Sequence, residues 1–364
     1  MYRMDFSVNP RAVAGLADAL DLRAHNLTGA AGYLQAYSSL RFGAGLVNEL
    51  FRTHEQVMST VQAFLRHIGD DYAEAYAAGV SRAVASYLGT DQDARARLDA
   101  SLPGVIDPAV PSRPADQSAG PEIFADPSCL SLATPADFEA EYPYHPHWYD
   151  LLSPSSIARD VIWYGTGVLA TLGLFPAQVD PYESFTAPLC GDWAGLERVS
   201  YALTQVARAL AFVSARIDDE AMALDRVWTG HAAGNCRYAL RRFARDLGPA
   251  QDLVVQLAAD YHQVAVTARE QGEALGTLVT LLVDLAGSFG TEAVFDTPKL
   301  VEVGGELGGL IEEAAKIVEL LHASVEGANG HLTGLCHQLG LLTVRPFAVN
   351  LPDDMPALPV PAGR

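Results

Sequence analysis

His145-Pro146-His147, with Trp148 and Asp150 close behind, is the densest group of metal-ligating side chains in the 364-residue sequence. A structural or catalytic zinc needs three or four ligands at fixed spacing, and no further His or Cys stands at such a spacing from this pair. The prolines around it favour an extended loop. Cys129, Cys190, Cys236 and Cys336 are far apart and form no CxxC, which excludes a zinc ribbon and a disulfide-dense scaffold. Cys336 and His337 are neighbours in sequence, so their side chains diverge on a helix and do not pair as nucleophile and base. His54 lies in an apolar stripe with no second ligand one turn away. No GxSxG, HExxH, GxGxxG or Walker pattern occurs. The chain therefore reads as a non-enzyme with no catalytic residues, no metal ligands and no cofactor.

The elements that carry these residues are set out by charge and proline. The formal net charge is −20, an excess that repels phosphate backbones and argues against nucleic acid and anionic membrane surfaces. Residues 101–190 hold 2 basic and 11 acidic side chains and 13 of the 21 prolines, whereas residues 1–100 hold 9 and 11 and are nearly neutral. Residues 101–150 thus read as an acidic proline-rich linker, and 346–364 as a proline-rich tail. Abundant alanine beside only two lysines, Lys299 and Lys316, fits a high-GC genome. The first residues lack the apolar core of a Sec signal, so a cytoplasmic chain or a Sec-independent route is expected.

The remaining sequence is helical in pattern. Asn9-Pro10 supplies an N-cap and a first-turn proline, and Val13, Leu16, Leu20 and Leu27 follow on one face. After a glycine-bearing break at 37–45, Val47, Leu50, His54, Val57, Val61, Phe64 and Ile68 step by three and four. Two such helices with a short connection imply an antiparallel hairpin. A second one is predicted where Leu196, Val199, Leu203, Val206, Leu210, Val213 and Ile217 alternate by three and four. The pattern resumes from Cys236 to Leu285, with a kink or brief break expected at Gly248-Pro249. Residues 161–175 are uncharged but fall short of a membrane span, which favours a buried helix on the hairpin over membrane contact. Residues 291–345 read as C-terminal helices, a third hairpin with shorter arms or a pair of helices closing the bundle, with two stripes separated by Gly327-Ala328-Asn329-Gly330, and offer no compact toxin domain.

Trp228-Thr229-Gly230 joins the two long helices of the second hairpin. Glycine permits the left-handed backbone that reverses the chain, and tryptophan closes the apolar seam. With Gly191-Asp192-Trp193 ahead of the first helix, residues 150–290 resemble the WXG100-type proteins of actinobacterial type VII (ESX) secretion. Residues 1–100 resemble the related EspC-like group, through Val8-Asn9-Pro10 and Leu16 to Leu20 at the start and Ala83 to Asp99 at the end. There, Tyr87-x-x-x-Asp91 matches the YxxxD export signal, an aromatic and a carboxylate one helical turn apart and displayed on one face.

The resemblance implies an all-α fold of tandem long helical hairpins with WXG100-like, coiled-coil-like packing and an extended proline-rich linker. The modules are 1–100, the linker 101–150, 151–290, 291–345 and the tail 346–364. It further implies export through Tyr87 and Asp91 by a type VII secretion ATPase, a WXG100-type partner or self-association, and a secreted or cell-surface location reached from the cytoplasm. Two departures matter. The first hairpin's turn, Phe42-Gly43-Ala44-Gly45, has no WxG, and Tyr261 in the second is followed four residues on by Ala265, not an acid. Each hairpin holds half of the usual pair, so the halves are expected to meet within one chain. Two other readings stay open: a cytoplasmic helical scaffold or chaperone for a neighbouring toxin or effector, and a membrane-active helical protein acting through 161–175.

Overall fold

A computed structural model describes residues 6–41, 45–90, 92–102, 114–125, 130–139, 157–173, 175–288 and 297–342. Among these the chain is mostly helical and belongs to the all-α class. The His145–Asp150 group, Cys129, Asp91 and the tail 346–364 lie outside the described residues.

Helix α1 (Pro10–Tyr37) starts as the sequence predicts, with the Asn9 side chain accepting from the Ala12 N–H at 3.1 Å. Helix α2 (Phe51–Arg66) runs into a π-helical stretch, His67–Ala73, and on into α3 (Glu74–Leu88). The wide turn has a sequence cause. The buried stripe steps by three and four to Ile68, jumps five to Ala73, and then resumes through Ala77, Val80, Val84 and Tyr87. A π turn takes in one additional residue and so restores the phase. Gly69 lies in that turn; a Cβ there would sit 3.0 Å from the Ala24 carbonyl, so α1 and the turn are in close contact.

Helix α4 (Gln92–Ser101) follows, and then α5 (Ile157–Thr171), α6 (Trp193–Leu224), α7 (His231–Ser288) and α8 (Thr297–Leu342). Helices α6 and α7 are antiparallel: Ser200 Oγ donates to the Ala258 carbonyl at 2.7 Å, and Ser214 Oγ to that of Ala244 at 2.8 Å. An advance of 14 residues on one helix is matched by a retreat of 14 on the other. Helix α7 is unbroken for 58 residues, about 87 Å at ~1.5 Å per residue. Of the kink or brief break expected at Pro249, the break does not occur: Leu247, Ala250, Val254 and Leu257 all stay buried across it. Packing along the whole stripe outweighs the one backbone hydrogen bond that proline removes.

Helix α8 corrects a second expectation. It runs through Gly327 and Gly330 without a break, as one helix of 46 residues. Leu321, Val325, Leu332, Leu335 and Leu339 remain on one buried stripe, and that burial offsets a glycine penalty of ~1 kcal/mol per residue. Helix α8 lies parallel to α2. Thr53 hydrogen-bonds Asn329, and the Cys336 thiol donates to Thr60 Oγ1 at 3.1 Å, both pairs 276 residues apart.

Helices α1–α3 and α5–α8 share one core. Helix α1 runs against α6, where Arg23 Nε meets Glu220 Oε1 at 3.0 Å with side chains 1% and 5% exposed. Side chains of α2 and α3 reach α7: His54 hydrogen-bonds Tyr261 at 3.0 Å, and Tyr76 stacks on Phe243 at 5.5 Å. Parts of the segment read as linker lie along this bundle. Phe124 is buried, and Tyr33 donates to the Ala133 carbonyl at 2.6 Å. Helix α5 is buried on one side only. Ile162, Thr166 and Leu169 face in, while Trp163, Tyr164, Val168 and the adjoining Leu172 are exposed. No helix among the described residues is long and apolar enough to cross a membrane.

Candidate functional site at the end of the bundle

Strands β1 (Ser7–Val8) and β2 (Trp228–Thr229) pair antiparallel, Val8 opposite Trp228. The Asn9 N–H extends the ladder to the Val227 carbonyl at 2.8 Å. Two residues of sheet thus pin the start of α1 to the turn between α6 and α7. Asn9 also reaches the segment 114–120, its amide donating to the carbonyls of Asp116 and Ala119 at 2.9 and 2.8 Å.

This pinning directs Trp228 inward, onto Tyr87 at the end of α3. The two rings meet edge to face at 5.5 Å, and Phe6 also meets Tyr87, tilted, at 5.7 Å. Trp228 is 3% and Tyr87 6% exposed. Burial first, and then the charge of Asp99, hold the Tyr87 hydroxyl above its ordinary range, so it is neutral at physiological pH. A Tyr87 ring displayed on the surface, as the export motif predicts, is therefore not what the fold presents. The ring is interior, and its proposed companion Asp91 is outside the described residues.

Gly230 has φ +120°, which an L side chain resists, and a Cβ there would lie 2.5 Å from Asp99 Oδ2. The vacant position admits that carboxylate. Asp99 Oδ2 accepts from the His231 N–H at 2.9 Å and Oδ1 from the Ala232 N–H at 2.8 Å. Two of the four free N–H groups at the start of α7 are thus satisfied from more than 130 residues upstream. His231 Nδ1 donates to the Leu102 carbonyl at 2.9 Å and ties down the same segment.

Gly191, Asp192 and Trp193 stand at the other end of the bundle. Asp192 caps α6, accepting from Gly195 N–H at 2.9 Å, and its second oxygen accepts from Arg41 N–H at 3.0 Å. Trp193 is fully buried, with its indole N–H donating to the Leu189 carbonyl at 2.6 Å. Gly191, at φ +153°, passes so close to Val47 that a Cβ would overlap it. This element joins the start of α6 to the turn after α1. Trp228, Gly230 and Tyr87 come together at one end, and Gly191, Asp192 and Trp193 act apart from them.

Among the described residues no three His, Cys, Asp or Glu converge as metal ligands. Cys336 is buried and His337 exposed, so the two diverge as expected. His54 is buried, with Nε2 donating to the Ser38 carbonyl at 2.9 Å and Nδ1 accepting from the Tyr261 hydroxyl at 3.0 Å. Burial lowers its pKa to about 4, against the ordinary 6.5. The neutral ring therefore contributes stability that is complete above pH 6.5 and is lost as pH falls towards 4, roughly 3 kcal/mol in all. Urea unfolding at pH 7.5 and 4.5 should show a smaller acid loss in His54→Gln than in the wild type; equal losses would rule this out.

Compared with known proteins, the chain matches no protein-family model, no curated protein and no solved structure.

Proposed function

We propose that the protein is a non-enzymatic, secreted substrate or associated protein of a type VII (ESX) secretion system. Its α1 with α2–α3, and its α6 with α7, are two WXG100-like hairpins packed in coiled-coil fashion within one chain. The secretion ATPase recognises it through Tyr87 and Asp91. One observation carries the reading: the tyrosine that ends the first hairpin touches the tryptophan of the WxG turn of the second, across 5.5 Å. Two motifs divided between two hairpins have no local reason to meet. A single chain that plays both members of a paired assembly gives them one.

The test is export. Deleting the cognate secretion locus should remove the protein from culture filtrate while leaving it in the cell, and unchanged export contradicts the proposal. Tyr87→Phe, which keeps the buried ring, should keep the melting temperature close to that of the wild type.

The exposed apolar side of α5 favours a second reading, a helical scaffold or chaperone for a neighbouring effector. That version predicts a stable complex with a genetically adjacent protein, lost in Tyr164→Ser/Leu172→Ser, and a location independent of Tyr87.

A further inference from the structure

We propose that α4 is a latch on the turn beside the Tyr87–Trp228 joint, with Asp99 as its catch, and that the joint opens to show Tyr87 only while the latch is released. The meaning of this device rests on the export reading above; its existence does not.

A receptor gripping a tyrosine needs the ring, and 94% of Tyr87 is covered in the folded chain. Phe6 and Trp228 supply ring contacts, and Arg95 and Asp99 are the charged groups of α4 that act on its hydroxyl. Helix α4, held at His231 and Ala232 a few residues from Trp228, is the lightest element at this joint. Isolated helices shorter than ~12–15 residues are marginal in water, and α4 has 10 residues. Its one buried residue is Asp99, an acid. An apolar anchor is missing where a permanently docked helix would carry one, and Leu98 is only half-buried. The attachment is polar: two hydrogen bonds from the first turn of α7 to the Asp99 carboxylate, and one from His231 to the Leu102 carbonyl. The positive end of the α7 dipole strengthens the first two.

Such an attachment is removable without unfolding the rest. The Arg23–Glu220 pair and the apolar stripes of α1, α6 and α7 do not involve α4. Gly230 is the other half of the catch. A side chain at that position occupies the space of the Asp99 carboxylate, so Gly230→Ala should release α4 from the opposite side.

Limited trypsin digestion of the purified full chain, read by mass spectrometry, tests the latch. Arg95 and Arg97 lie in α4, and Arg208 in α6 serves as the internal reference. In Asp99→Ala, cleavage after Arg95 and Arg97 should rise at least tenfold with no change at Arg208, and Gly230→Ala should do the same. Unchanged cleavage in α4 overturns the proposal. So does a parallel rise at Arg208, because Asp99 would then hold the bundle and not a latch. Export of the same variants separates the two claims. An opened α4 with no effect on secretion leaves the latch standing and counts against the export reading.

Discussion

Replacing Arg23 by alanine should destabilise the protein by about 3–5 kcal/mol, a large fraction of the ~5–15 kcal/mol typical of a folded domain. Arg23 joins α1 to α6 through Glu220, and neither side chain reaches solvent to any useful extent. Its guanidinium also lies over the Phe212 ring at 5.6 Å, with Arg216 over the same ring at 5.3 Å. Removing the cation leaves a carboxylate buried between two helices without its counter-charge. Glu220→Ala should cost a similar amount for the mirror reason. The double variant Arg23→Met/Glu220→Leu should recover most of the loss, since an apolar pair of similar volume needs no charge to be desolvated. Urea midpoints of the wild type, Arg23→Met, Glu220→Leu and the double variant close the cycle. Additive losses in the double variant would show that the two charges act separately.

The second large effect is at Trp228. Truncation to alanine should cost about 3–5 kcal/mol, from lost burial and the cavity it leaves. The damage should concentrate at one end of the bundle. Tyr87 loses its edge-to-face partner, and the β1–β2 pairing loses the residue opposite Val8. Hydrogen exchange should therefore accelerate at residues 84–88 and 227–232 more than at the Ser200–Ala258 level of the α6–α7 contact. Trp228→Phe should lose less. Uniform acceleration along α7 would mean that the turn sets the stability of the whole bundle and not that of its end.

How far these features were readable in advance depended on whether their partners were near in sequence. The α6 stripe from Leu196 to Ile217 alternates by three and four without a slip, and each of its seven apolar positions is buried. Asn9-Pro10 is a local signal and starts α1. The π turn is written in the jump from Ile68 to Ala73, but a reading that stops at Ile68 misses it. Gly327 and Gly330 suggested a break because glycine is costly in an isolated helix; the partners that offset the cost, on α2 and α7, are remote. Arg23 has the spacing of a stripe position, yet nothing near it announces a partner 197 residues away. Asp99 is the extreme case. It sits in a polar ten-residue helix with no apolar stripe, and its role is visible only once the His231 and Ala232 N–H groups are brought beside it. Tyr87, Trp228 and Gly230 were singled out by motif, and the fold brings them together, with Tyr87 turned inward.

The central claim is that the two halves of the motif pair meet inside a single chain. A photoreactive phenylalanine analogue at position 87, irradiated in the purified protein across a hundredfold range of concentration, tests it most directly. An adduct to the peptide containing Trp228 should form within the monomer, in a yield independent of concentration. Adducts that appear only between chains, or none to that peptide at any concentration, would contradict it.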